Sequence, residues 1–143
     1  MLSIENVSID DVQPLAELYE ELTGGPSNLE KMAQNLRIIK ESPDYIVLVA
    51  KEEDLIVGSV MGIICLDLVG DCRPFMVIEN VIVKGLWHGK GIGTLLMEEI
   101  EKIGRARNCY YTMLVSGGHR KEAHQFYEKV GYNSDVRGFK KYL

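Results

Sequence analysis

Residues 79–96 read Glu-Asn-Val-Ile-Val-Lys-Gly-Leu-Trp-His-Gly-Lys-Gly-Ile-Gly-Thr-Leu-Leu, an apolar stretch running into glycines at 89, 91 and 93. Alternating glycines let a backbone bend so that successive N–H groups face one concavity. Ile92, Leu95, Leu96, Ile100 and Ile103 follow at helical spacing, so the glycines open a helix. The first N–H groups of a helix lack internal partners and sit at the positive end of its dipole. Phosphate is the natural ligand of such an end, and Lys90 and Thr94 add a charge and a hydroxyl. The nucleotide loop, GxxxxGK followed by Ser or Thr, does not fit, because Gly91 follows Lys90. The dinucleotide pattern GxGxxG does not fit either: this is GxGxG, late in the chain. Glu79 is the one carboxylate in an otherwise apolar strand, where desolvation is expected to raise its pKa towards that of a general base. In a regular strand Asn80 would point to the opposite face.

A third phosphate loop does fit. An acidic residue on a strand, a hydrophobic run and then His88-Gly89-Lys90-Gly91-Ile92-Gly93 resemble the pyrophosphate loop, Gln/Arg-x-x-Gly-x-Gly/Ala, of acetyl-CoA-dependent N-acetyltransferases. Downstream, Ala123-His124-Gln125-Phe126-Tyr127-Glu128-Lys129-Val130-Gly131-Tyr132 is similar to the Ala-x-x-Phe-Tyr-Glu-Lys-x-Gly-Phe/Tyr helix of the same GNAT superfamily. Motif-level similarity covers residues 75–132; nothing comparably specific precedes residue 60. The run Val77 to Val83 is also similar to a strand of glucosamine-phosphate acetyltransferases.

The resemblance implies a function residue by residue. Main-chain groups of Val81, Ile82 and Val83 would pair with the pantetheine arm like an added strand, beside which the sheet splays. His88, Gly89, Lys90, Gly91, Ile92, Gly93 and Thr94 would take the pyrophosphate through peptide N–H groups. His88 departs from the usual Gln or Arg, and Arg120 stands where many relatives carry an Asn that contacts the cofactor. Ser116 to His119 would line the cofactor cleft. Acyl transfer to an amine needs a base, a donor for the oxyanion and a proton for the leaving thiolate. Glu79 is the candidate base, directly or through water. The N–H of Val83 or Ile82 is the candidate oxyanion donor. Tyr127, close to the CoA sulfur in the family, is the candidate acid.

The implied activity is transfer of acetyl from acetyl-CoA to a primary amine of a small molecule, by direct attack in a ternary complex. No cysteine lies in either motif, which disfavours an acyl-enzyme. The alternatives are a protein lysine or N-terminal acetyltransferase and an inactive CoA-binding sensor. Homodimers are common in the family, and a final strand could pair across a two-fold axis.

The elements that must position these groups read as follows. Residues 2–7 form a short strand, and Asp10 or Asp11 caps a helix to about residue 22. Ser27-Asn28-Leu29-Glu30 reads as a capping box for a second helix, ended by Pro43. Two strands follow, at 45–50 and 55–66; Gly58 and Gly62 suggest a bulge or bend in the second. A covered strand spans 75–83 and a helix 91–106. A strand at 110–115, a helix at 119–130 stopped by Gly131, and a last strand at 136–143 complete the order. The expectation is a single α/β domain over residues 1–143. Its fold would be the acyl-CoA N-acyltransferase fold: a mixed, mostly antiparallel sheet of six to seven strands flanked by about four helices.

Composition sets the outer limits. The 143 residues are 46% hydrophobic and 26% charged, as in ordinary globular chains. No run of about 18 apolar residues is present, and the N-terminus lacks the pattern of a signal peptide, so a cytoplasmic location with no membrane partner is expected. The three cysteines lack CxxC spacing and the three histidines lack ligand spacing, so free thiols and no metal are expected. The net charge of −5 argues against nucleic-acid binding. Residues 1–60 hold four Lys/Arg against twelve Asp/Glu, and residues 84–143 hold eleven against six. That asymmetry suits a cationic acceptor on one side and an anionic ligand on the other.

Overall fold

A computed structural model describes all 143 residues, which divide into two compact units, Met1–Met113 and Leu114–Leu143. The first unit opens with β1 (Leu2–Asn6) and a short 3-10 turn at Ile9–Asp11. Ser8 caps that turn: its hydroxyl accepts from the Asp10 N–H, while the Asp11 carboxylate accepts from the Ser8 N–H at 2.8 Å. Asp11 is therefore committed to the turn and makes no side-chain cap on α1 (Val12–Thr23). Gly24, at φ +75°, ends α1 in the left-handed conformation that glycine adopts without strain. The box expected at Ser27 is not what starts α2 (Leu29–Glu41). Asn28 is the cap, accepting from the Lys31 N–H at 3.0 Å. The Ser27 hydroxyl instead donates to Ala16 O, tying the connection back to α1.

The sheet holds five strands, not six to seven, in the order β1-β2-β3-β4-β5. β2 (Tyr45–Glu52), β3 (Leu55–Cys65) and β4 (Phe75–Val83) continue the antiparallel ladder from β1, and β5 (Thr112–Met113) joins β4 in parallel. The strand expected at 110–115 shrinks to two paired residues, and the one expected at 136–143 does not form. In that tail Gly138 and the Lys140-Lys141 pair spoil the alternation that buries one face of a strand. The mixed, mostly antiparallel character and the four helices match expectation.

Two layers cover the sheet. Leu15, Leu18 and Leu36 of α1 and α2 pack with Val47, Val49 and Ile56, and Tyr19, Met61 and Ile82 lie against this cluster. On the other face sits α3 (Ile92–Ala106), with Ile92, Leu96, Met97 and Ile100 buried. A Cβ at Gly62 would come within 2.9 Å of Ile100, so this glycine marks close helix approach, not a bend. At Gly58 the expected irregularity is real: the β2–β3 register shifts beside it, between Ala50 and Lys51.

The second unit contains α4 (Lys121–Lys129) and an extended tail. Gly131, at φ +100°, follows the helix end as expected. No helix of the chain is long and apolar enough to cross a membrane.

Candidate active site

The site's geometry begins with an irregularity in β4. Ser59 faces Ile82 and Met61 faces Glu79, so one β3 residue, Val60, opposes two on β4, Asn80 and Val81. This is a β-bulge, and Asn80 carries it at φ +55°, a conformation asparagine tolerates better than most residues. Ser59 and Met61 share a face, so Glu79 and Ile82 do too, although three residues apart. That face is the one α1 and α2 cover, since Met61 and Ile82 pack against their cluster. Glu79 itself is exposed, which corrects the expectation of a desolvated carboxylate. The bulge breaks the regular strand on which the expectation for Asn80 is conditional.

Beyond Val77 the second edge of β4 has no partner in β5, whose pairing ends at Val77–Met113. This is the expected splay. The Lys84 N–H donates to Val57 O at 2.8 Å, and Ile82 O lies 3.2 Å from the Cβ position of Gly58. Lys84 and Ile82 thus turn their main-chain groups towards β3. By alternation those of Val83 and Val81 face the free edge. Of the two candidate oxyanion donors, Val83 has the outward N–H and Ile82 does not.

From Val83 the chain enters a 3-10 turn at Gly85–Trp87. Gly89 at φ +77° and Gly91 at φ +80° then aim it into α3, for which Gly91 is the cap residue. Around the Cβ positions of both glycines there is open space out to 4 Å. Ile92 is buried and offers only its backbone, while Gly93 and Thr94 are half-buried on the first turn. Lys90 is exposed, its ammonium 4.8 Å from the centre of the Trp87 ring. His88 is exposed, and its Nε2 lies 2.7 Å from Val83 O. A helix opened by two positive-φ glycines is a backbone that can present N–H groups to an anion.

In the second unit Arg120 is exposed at the start of α4, and Tyr127 is the buried residue of that helix. Phe126 is the less buried of the two. The Tyr127 ring lies 5.3 Å from Phe126 and 6.1 Å, edge-on, from Tyr132. The His124 ring bonds Gly117 O at 2.7 Å. Ser116 Oγ is buried with no hydrogen-bond partner.

Several groups escaped the sequence reading. Glu21, on α1, accepts from the Gly85 N–H at 3.2 Å and lies 3.9 Å from Lys84 Nζ, tying the helix to the turn that ends β4. No local signal marks it, because its partner is 64 residues away. Burial pushes the Tyr19 hydroxyl up, against a hydrogen bond with Ser59. All three cysteines are free; Cys65 is half-buried and Cys72 exposed. Burial raises the Cys109 pKa, outweighing Arg107 and Arg73, and keeps that thiol protonated. No group of three or more His, Cys, Asp or Glu side chains could hold a metal ion. A cavity of about 230 Å³ lined by Asn6, Val7, Ile39, Lys40, Tyr45 and Val47 includes none of the predicted site residues.

A splayed mixed sheet with a glycine loop leading from β4 into a helix defines an acyl-CoA-type transferase fold. Residues 12–132 match the Acetyltransferase (GNAT) family, and the chain belongs to that family. It is 26% identical over 143 residues to a glucosamine 6-phosphate N-acetyltransferase of Trypanosoma brucei brucei, covering 95% of this chain and 92% of that protein. A putative acetyltransferase from Agrobacterium tumefaciens superposes with a TM-score of 0.92 at 26% identity, over 99% of each chain. A glucosamine-6-phosphate N-acetyltransferase from Arabidopsis thaliana superposes at 0.90 with 24% identity, over 100% of this chain and 99% of that one, a likeness of fold.

Proposed function

We propose that the protein transfers acetyl from acetyl-CoA to a primary amine of a small molecule, by direct attack in a ternary complex. The observation that carries this reading is the loop after β4. Two positive-φ glycines open α3 with open space around their Cβ positions, beside a strand edge that β5 leaves unpaired. Bound there, acetyl-CoA supplies an acetyl thioester. The amides of residues 89–94 hold its diphosphate, and the outward main-chain groups of Val81 hold the arm. Glu79 takes the proton of the acceptor ammonium through water, a route that suits an exposed carboxylate. The Val83 N–H donates to the developing oxyanion, and the Tyr127 hydroxyl donates a proton to the leaving thiolate. The roles of Tyr127 and Arg120 rest on the likeness of the 120–132 segment to the family helix. The match over residues 12–132 spans both units and supports one catalytic domain.

The acidic residues 1–60 support a cationic acceptor, such as a polyamine, an aminoglycoside or an amino sugar. The Trypanosoma relative adds a sugar phosphate to the candidates. A cytoplasmic homodimer completes the reading; the exposed tail residues Val136, Phe139 and Tyr142 are the apolar surface that supports a second copy.

A CoA-release assay over such amines tests the proposal. Turnover is expected on at least one, with Glu79→Gln and Tyr127→Phe each lowering kcat about a hundredfold while acetyl-CoA still binds. Cofactor binding with no turnover on any amine would favour the sensor. Acetylation of lysine peptides in preference to every small amine would favour the protein acetyltransferase.

A further inference from the structure

We infer that His88 is a positioning residue for the glycine loop, a role that rests on the cofactor site proposed above. Nε2 of its ring is 2.7 Å from Val83 O. A carbonyl oxygen only accepts, so Nε2 carries the proton and Nδ1 is the free nitrogen of the neutral ring. Val83 O faces the unpaired edge of β4, so no neighbouring strand competes for it. The bond spans five residues and closes the turn from outside. Within the turn the Trp87 N–H donates to Lys84 O at 2.8 Å and the His88 N–H to Gly85 O at 3.2 Å. From α1, Glu21 takes the Gly85 N–H. The residue that starts the flexible glycine run is thereby anchored by main chain and side chain together.

Gly89 follows directly and is free to rotate in solution; without a fixed start, the N–H groups behind it would sample many directions. The ring bond sets the offset between the β4 edge, where the arm pairs, and the amides that meet the diphosphate. Lys90 works the same way, since its ammonium rests over Trp87.

Steady-state kinetics with His88→Ala and His88→Gln, alongside NMR of the histidine nitrogens in the wild type, tests this. Loss of the bond is expected to raise KM for acetyl-CoA about five- to tenfold, with kcat within about twofold. The Gln variant should recover most of that loss. The His88 ring, when neutral, should be the Nε2–H tautomer. An unchanged KM in a folded Ala variant, or an Nδ1–H tautomer, overturns the assignment. Wild-type protein that binds no acetyl-CoA would sink the proposed function instead, and the tautomer would still decide the role of His88.

Discussion

Ser116 Oγ is buried and has no partner. A buried hydroxyl left unpaired costs about 1–3 kcal/mol, so a ligand group that accepts from it would gain a donor already stripped of water. On the proposed reading this segment lines the cofactor cleft, and CoA carries amide carbonyls that can accept. Ser116→Ala is therefore expected to raise the melting temperature of the ligand-free protein, since it removes an unpaired group and little volume. The same change should reduce the extra stabilisation that saturating acetyl-CoA provides. Paired melting curves read both effects. A variant less stable without ligand, or one that keeps the full cofactor-linked shift, would show that the hydroxyl serves the fold and not the ligand. At this scale the sequence marks candidates by residue type: Glu79, the glycines and Tyr127 all stand out. It was silent where chemistry depends on surroundings. Neither the orphan hydroxyl of Ser116 nor the exposure of Glu79 can be read from a string, because both depend on what lies across the sheet or over the helix.

The bulge in β4 is the element-scale device that matters most. Without it, Glu79 and Ile82 would sit on opposite faces and the outward main-chain groups would belong to different residues. Asn80 holds the bulge at φ +55°. For a β-branched residue that conformation costs about 1–2 kcal/mol or more, while glycine adopts it freely. Asn80→Gly should keep both fold and kcat/KM close to wild type. Asn80→Val should lower stability by about 1–2 kcal/mol and lower kcat/KM by more than the loss of folded protein explains, because the strand relieves the strain by moving Glu79 and Val83. Denaturant titration and kinetics on the same samples separate the two losses; equal behaviour of Gly and Val would show that the bulge does not depend on this residue. Helix and strand positions followed from periodicity, since each helix buries one stripe. The bulge did not, because regular alternation is the assumption that it breaks. Nor did the loss of the last strand: Val136, Phe139 and Tyr142 read as strand formers, yet Gly138 and the Lys140-Lys141 pair break the alternation between them.

At the scale of the molecule, charge is the property most cleanly divided along the chain. Residues 1–60 are strongly acidic and residues 84–143 basic, and the loop and α3 lie in the basic part. CoA carries a diphosphate and a further phosphate, so its binding should draw on that basic half and weaken as salt screens it. Ligand at a hundred times its dissociation constant stabilises a folded protein by about 2.7 kcal/mol. For a chain of this length that corresponds to a rise in melting temperature of about 8–10 °C. The shift measured at a fixed acetyl-CoA concentration should shrink between 0.1 M and 1 M salt, where the screening length falls from about 10 Å to about 3 Å. The KM of a cationic acceptor should rise over the same range, while a neutral amine's should hardly move. The two halves can fail separately. A salt-independent acetyl-CoA shift would mean that the amides hold the diphosphate with no help from the charge of the basic half. Matching salt dependence for charged and neutral amines would remove the acidic half from acceptor choice and leave the pocket's shape to decide it.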